Sequence, residues 1–322
     1  MNAVSRRNLI LGASAIAVTP ALPALAPSRA WAWARADGKQ DLIPSSGAHF
    51  GAYVYEGNDL GVSQPENLES KLGHSLGINH CFQPVNVPLH STRMRKDIAA
   101  GRIPMVSWAA GTEARLRQIV AGRHDDWIDT QVDSLAALNA PVLMRLTWEF
   151  DLRYTDTTLF TEMWRYVHER FAAAPQVAFV WCPTWRAYRE TARAEPFYPG
   201  NAYVDWIGAD GYARAREDKP EYNYRAFDLM FDTAHAFARD HGKPFIVGET
   251  GVHRAASNPF QAEWLTDTHT VIKSDYPELK ALVYFHRDGP EGDDNWRVTV
   301  PDGGLAQRAL AAIATDPHFN PG

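Results

Sequence analysis

From about residue 40 onward the chain repeats one rhythm. A short apolar or aromatic run is followed by polar residues, and then by a longer stretch whose apolar positions recur near every third or fourth residue. The short runs are HFGAYVYE (49–56), INHCFQPVNV (78–87), RIPMVSWAA (102–110), PVLMRLTWEF (141–150), VAFVWCPTW (177–185), VDWIGADGY (204–212), PFIVGETGV (244–252) and ALVYFHRD (281–288). They are rich in Val, Ile, Phe, Tyr and Trp, and mostly continuous rather than alternating, which predicts buried parallel strands. Between them, DDWIDTQVDSLAALN (125–139), TLFTEMWRYVHERFAAA (158–174), YRAFDLMFDTAHAFARDHG (224–242), NPFQAEWLTDTHTVIKSDYP (258–277) and GGLAQRALAAIATDP (303–317) carry helical spacing. Pro175 stops the second of these, Gly242 sits at a C-cap position, and Asn258-Pro259 opens the fourth.

Eight strands, each followed by a helix or a long loop, predict a (β/α)8 TIM barrel of the α/β class. The competing architecture is a doubly wound open sheet. No glycine-rich phosphate loop follows the first run, which argues against it. No linker, low-complexity tract or second domain breaks the pattern, so a single domain over 40–322 is expected.

The first 34 residues stand apart from that pattern. SRRNLILGASAIAV (5–18) places Arg6-Arg7 before a run of small and apolar residues, and APSRAWAWA (26–34) offers small-x-small cleavage sites near Ala32 or Ala34. This is the signature of a twin-arginine export signal, with a periplasmic or extracellular destination. A retained anchor is the rival reading, but Pro20 and Pro23 interrupt the apolar stretch and leave it marginal for a bilayer. The formal net charge of -6 gives no basic footprint for nucleic acid. Cys81 and Cys182 fit no metal spacing, and a chain folded before export in a reducing cytoplasm is expected to keep both thiols free.

A barrel of this kind carries its chemistry at the C-terminal ends of its strands. Here those ends supply Trp108, then Arg145-Leu-Thr-Trp148-Glu149-Phe-Asp151, Trp181 and Trp185, Asp210-Gly-Tyr212, Glu249-Thr-Gly, and Phe285-His286-Arg287-Asp288. Two glutamates on the fourth and seventh strands would face one another across the mouth. Glycoside hydrolysis needs such a pair: one protonated carboxyl donates to the leaving oxygen, while the ionised partner attacks the anomeric carbon or activates water. A single glutamate at a strand end is more often a salt-bridge partner; two at these strands, among indoles and phenols, favour catalysis.

The same residues carry a resemblance. RIPMVSWAA followed by IVAGRHDDWID, PVLMRLTWEF, KPFIVGETGV and above all FYPGNAYVDWIGADGY (197–212) resemble glycoside hydrolase family 26, the β-mannanase-like retaining glycosidases, over about residues 47–300. The resemblance implies Glu149 as acid/base and Glu249 as nucleophile. It further implies that Tyr212 hydrogen-bonds near the nucleophile, that Arg145 lies below the pair, and that Trp108 and Trp181 help line the sugar subsite. Trp148, Trp185, Asp210 and His286 complete the expected substrate-binding set. No cofactor or metal is expected, and a monomer acting on a polysaccharide or oligosaccharide is. The family usually has His before the acid and Asn-Gly shortly after it; this chain has Trp148 before Glu149, then Phe150-Asp151-Leu152. It also lacks the usual Trp on the eighth strand. These departures leave β-mannan and other β-glycans, including bacterial exopolysaccharide or envelope glycan, open as substrates, with a non-catalytic carbohydrate-binding barrel as the rival to an enzyme.

Other clusters carry blander readings. His124-Asp125-Asp126 reads as a helix start with acids at its positive end rather than as a metal site. Asp293-Asp294 lacks the glycine and distal glutamate of a calcium loop. Arg214, Arg216, Glu217 and Asp218 read as a solvated loop that rims the cleft, and His49, His80, His235 and His253 are scattered. No Gly-x-Ser-x-Gly elbow occurs.

Overall fold

The computed structural model describes residues 38–55, 63–89, 91–189, 193–215, 220, 223–288 and 295–321. The proposed export signal and the Arg216, Glu217, Asp218, Asp293 and Asp294 positions lie outside these residues. Eight parallel strands close into a barrel in sequence order: β1 (His49–Tyr55), β2 (Ile78–Pro84), β3 (Ile103–Ala109), β4 (Val142–Leu146), β5 (Val177–Trp181), β6 (Trp206–Ala213), β7 (Phe245–Val252) and β8 (Leu279–Arg287). The α-helices among the described residues are α1 (Pro65–Leu72), α2 (Ser91–Ala99), α3 (Glu113–Val120), α4 (Asp125–Ala136), α5 (Thr157–Arg170), α6 (Trp185–Arg189), α7 (Phe227–Asp240), α8 (Asn258–Asp275) and α9 (Leu305–Thr315).

The five long helices match their sequence patterns. The four that the periodicity did not single out are short and bury few apolar side chains; α2, for instance, buries only Met94 and Asp97. His124 precedes the first residue of α4, so Asp125 and Asp126 do stand in a first helical turn, where the helix dipole favours negative charge. Cys81 and Cys182 are both free. Among the described residues no helix is long and apolar enough to cross a membrane.

The strands carry two cores, one on each face, because successive side chains point to opposite sides of a strand. Ile103 and Met105 of β3, Leu143 of β4, Ala178 and Val180 of β5, Trp206 of β6 and Val283 of β8 fill the barrel interior. Their alternates Val106, Val142, Met144, Phe179 and Ile207 face the helical shell, where Phe160, Trp164 and Phe231 meet them. Each apolar side chain buried in this way contributes on the order of 1.5–3 kcal/mol. The same parity sends Arg145, two residues beyond Leu143, into the barrel interior.

Candidate active site

The stretch that carries Glu149 is not a strand end. β4 stops at Leu146, and the backbone then turns through left-handed conformations at Thr147 (φ 52°) and Glu149 (φ 48°). Non-glycine residues pay on the order of 1–2 kcal/mol for this conformation, so neighbouring bonds must hold it. Thr147 N–H donates to Trp108 O (2.8 Å), Ala110 N–H to Thr147 Oγ1 (2.8 Å) and Glu149 N–H to Cys182 O (2.9 Å). Asp151, directly after, accepts from the Thr184 backbone N–H (2.8 Å) and hydroxyl (2.7 Å), which ties this turn to the end of β5. These anchors place the Glu149 carboxyl over the barrel mouth.

Glu249 reaches the same mouth from β7. The β6–β7 register shifts at Ala209/Asp210, and that of β7–β8 shifts between Val247 and Thr250. Such irregularities re-aim a side chain. Both Glu249 oxygens face donors: Arg145 Nη1 donates to Oε1 (2.7 Å) and Tyr212 OH to Oε2 (2.6 Å). Arg145, fully buried, also donates to Asp210 Oδ2, while Cys182 Sγ donates to Asp210 Oδ1 (3.2 Å). Gly248 is required here, because a Cβ would stand 2.8 Å from Asp210 Oδ1 and 2.9 Å from Cys182 Sγ. Also inside the barrel, His80 Nε2 and Ser107 Oγ stand 2.7 Å apart.

The carboxyl groups sit in unlike surroundings. Glu149 has its pKa pushed up to about 7, first by burial and then by the charge of Glu249, against the opposing pull of Arg145 and Arg153. Arg153 Nη2 stands 3.8 Å from Glu149 Oε2, and its guanidinium lies 4.4 Å over the Trp148 ring. Burial also drives Asp210 upward, with Arg145 working against it. Burial would strip the charge of Arg145, but Asp210 and Glu249 outweigh that cost and raise its pKa. Tyr212 is pushed well above the ordinary phenol value by burial and by Glu249, so it remains a hydrogen-bond donor.

A cavity of about 310 Å3 opens above these groups, lined by Glu149, Leu152, Thr184, Trp185, Arg186, Asp210, Gly211, Tyr212, Arg214, Glu249, Phe285 and Trp296. It unites five of the residues expected from the sequence: Glu149, Trp185, Asp210, Tyr212 and Glu249. Arg145 lies beneath them, bonded to Glu249 and Asp210. Trp148 is half-buried beside Glu149, against Phe82 (4.9 Å between ring centroids) and under Arg153.

Three expected residues are elsewhere. Trp108 and Trp181 lie on the outward faces of β3 and β5, where Trp108 packs on Phe171 and Trp181 on Phe150 and Phe237. His286 lies fully buried near Thr299 Oγ1 (3.2 Å), and burial lowers its pKa to about 3. All three follow the outward parity of their strands, so a position at a strand's C-terminal end did not suffice to aim them at the mouth. Sequence reading missed Trp296, which meets Tyr212 at 4.5 Å between centroids, since no spacing ties a residue of the loop after β8 to a side chain of β6. Arg214, expected in a loop that rims the cleft, does line the cavity, whereas Arg186 and Leu152 were passed over. Among the described residues no group of three or more His, Cys, Asp or Glu side chains is placed to hold a metal ion.

The model of glycosyl hydrolase family 26 matches residues 112–276, a span running from before α3 to the end of α8 and including both glutamates. The chain belongs to glycosyl hydrolase family 26. This family-26 chain is 23% identical over 290 residues to endoglucanase H of Acetivibrio thermocellus, covering 85% of this chain and 31% of that protein. It is 24% identical over 307 residues to a beta-1,3-xylanase of Vibrio sp, covering 82% of this chain and 61% of that one. It thus spans less than two thirds of either relative. Among solved structures, a family-26 β-mannanase from Bacteroides ovatus superposes with a TM-score of 0.62 at 16% identity, over 88% of this chain and 92% of that one. A modular endo-β-1,4-mannanase from Cellulomonas fimi gives 0.65 at 18% identity, over 90% and 76%. At these identities the structural likeness speaks for the barrel alone.

Proposed function

We propose that this family-26 barrel is an endo-acting retaining glycoside hydrolase that cleaves β-glycosidic bonds in a polysaccharide without a cofactor. Glu249 attacks the anomeric carbon while Glu149 gives its proton to the leaving glycosidic oxygen, forming a glycosyl ester on Glu249. Glu149, now a carboxylate, takes a proton from water, which attacks the same carbon, releases Glu249 and restores the β configuration. The observation that carries this reading is the unlike surroundings of two carboxyls in one cavity: Glu149 held toward the protonated form, Glu249 with donors on both oxygens. Arg145 and Tyr212 hold Glu249, while Phe285 and Trp296 offer apolar surface to a sugar ring. Relatives named for glucan, 1,3-xylan and 1,4-mannan make a β-linked backbone the expected substrate, and mannan one member of that class.

The test is chemical rescue. The purified protein is screened on β-mannan, β-glucan, xylan and envelope polysaccharides beside Glu149→Ala and Glu249→Ala. On an aryl β-glycoside whose phenolate departs without a proton, azide should restore turnover in Glu149→Ala and yield a β-glycosyl azide, whereas Glu249→Ala should yield the α-azide. Full activity in either variant without azide would remove that residue from its role, and binding without cleavage on every glycan would point to a non-catalytic barrel. The Arg6-Arg7 segment is read as a twin-arginine export signal, checked by fusing residues 1–40 to a reporter in cells with and without that translocase.

A further inference from the structure

We propose that the wall of this cleft formed by the ends of β5 and β6 takes an acidic sugar, with the guanidinium groups of Arg186 and Arg214 receiving a carboxylate, so that the substrate is a uronate-containing or otherwise carboxylated β-glycan rather than a neutral one. This deepens the reading of the cavity as a glycan cleft and rests on it.

Arg186 stands in the single turn of α6, and Arg214 follows directly after β6; both line the cavity that holds Glu149 and Glu249. The acids of the floor already have cations of their own. Arg145 bridges Asp210 and Glu249, and Arg153 stands at Glu149. Arg186 and Arg214 bring two further guanidinium groups to the lining of this cavity. A neutral sugar would be better met on this wall by a bare aromatic face. Of the two rings there, Trp185 is buried, with the guanidinium groups of Arg186 and Arg225 5.4 Å and 5.6 Å from its centroid, and Tyr212 is bonded to Glu249 and packed on Trp296. This wall thus offers cationic forks, the group that matches a planar carboxylate. Phe285 and Trp296 supply the apolar surface elsewhere in the cavity. An acidic chain entering over Asp210 and Glu249 also needs nearby positive charge to offset repulsion.

The probe set is gellan, hyaluronan, carboxymethyl-mannan and carboxymethyl-β-glucan, each paired with its carboxyl-reduced or unsubstituted counterpart. Binding is measured by affinity electrophoresis with Glu249→Gln, so that cleavage plays no part. At least one acidic member should bind about tenfold or more tightly than its neutral counterpart, as one or two charge-assisted hydrogen bonds imply. That preference should shrink when sodium chloride is raised from about 50 to 500 mM, and it should disappear in the added Arg186→Gln/Arg214→Gln background. The comparison between acidic and neutral polymers needs neither arginine variant, so a misfolded variant does not leave the question open. Overturning results are the absence of any acidic preference on every backbone, or a preference that survives loss of both arginines in a folded variant. Failure of the double-displacement reading shows separately, as activity retained in Glu149→Ala or Glu249→Ala.

Discussion

Replacing Arg153 with Gln should raise the pKa of Glu149 and move the basic limb of the pH profile upward. The two groups stand 3.8 Å apart, with side-chain exposures of 39% for Arg153 and 25% for Glu149. Coulomb attraction at that distance is about 1 kcal/mol at the dielectric constant of water and about 4 kcal/mol at an effective value near 20. Both groups are partly solvated, and exposed pairs measure roughly 0.2–1 kcal/mol, so the lower range applies. At about 1.4 kcal/mol per pKa unit, this is a shift of roughly 0.1–0.7 units. The sign follows from charge: the guanidinium favours the carboxylate, and its removal favours the protonated acid that catalysis requires. In the native protein kcat/KM should fall as pH rises through about 7, the value toward which burial and Glu249 push Glu149. In Arg153→Gln that limb should lie near pH 7.1–7.7. The assay is kcat/KM from pH 4 to 9 at low, constant ionic strength, on whichever β-glycan the native protein cleaves. A native basic limb below about pH 5.5, or a limb that moves down in the variant, would refute the assignment of Glu149 as the acid.

Three further outcomes are expected. Because its folded pKa is raised above the ordinary value of 4.5, Glu149 costs stability as pH climbs from there to about 7, by up to about 3 kcal/mol in full; Glu149→Gln should lose less stability between pH 5 and pH 8 in urea melts, and an equal loss in both proteins would contradict the shift. Tyr212→Phe removes the 2.6 Å donor to Glu249 Oε2 and should lower kcat about 10–100-fold, from the roughly 1.5–3 kcal/mol of a hydrogen bond to a charged group, with the melting temperature little changed. Gly248→Ala drives a Cβ to 2.8 Å from Asp210 Oδ1 and should cost about 1–3 kcal/mol of stability together with most of the activity; a variant as stable and active as the native protein would show that the Asp210–Arg145 packing has room to give.

The alternation of apolar runs and helical spacings determined that this chain folds as an eight-stranded barrel, because strand and helix periods are properties of local sequence. In such a barrel the chemistry sits at the strand ends, and the Tyr-Pro-Gly to Asp-x-Tyr passage and the two glutamate runs were enough to place the family. Only the tertiary structure decided which strand-end residues look into the cleft. Trp108, Trp181 and His286 are on the outer parity of their strands, while Arg145 is on the inner one, and parity is settled by where each strand enters the barrel rather than by residue type. The register shifts of β7 that turn Glu249 to the mouth, and the left-handed turns at Thr147 and Glu149, depend on bonds to other strands. So does the raised pKa of Glu149, which comes from burial and from a charge one hundred residues away. Local sequence wrote the elements and the chemistry they carry; long-range packing chose which of those side chains meet, because no short-range pattern encodes the contacts between distant strands.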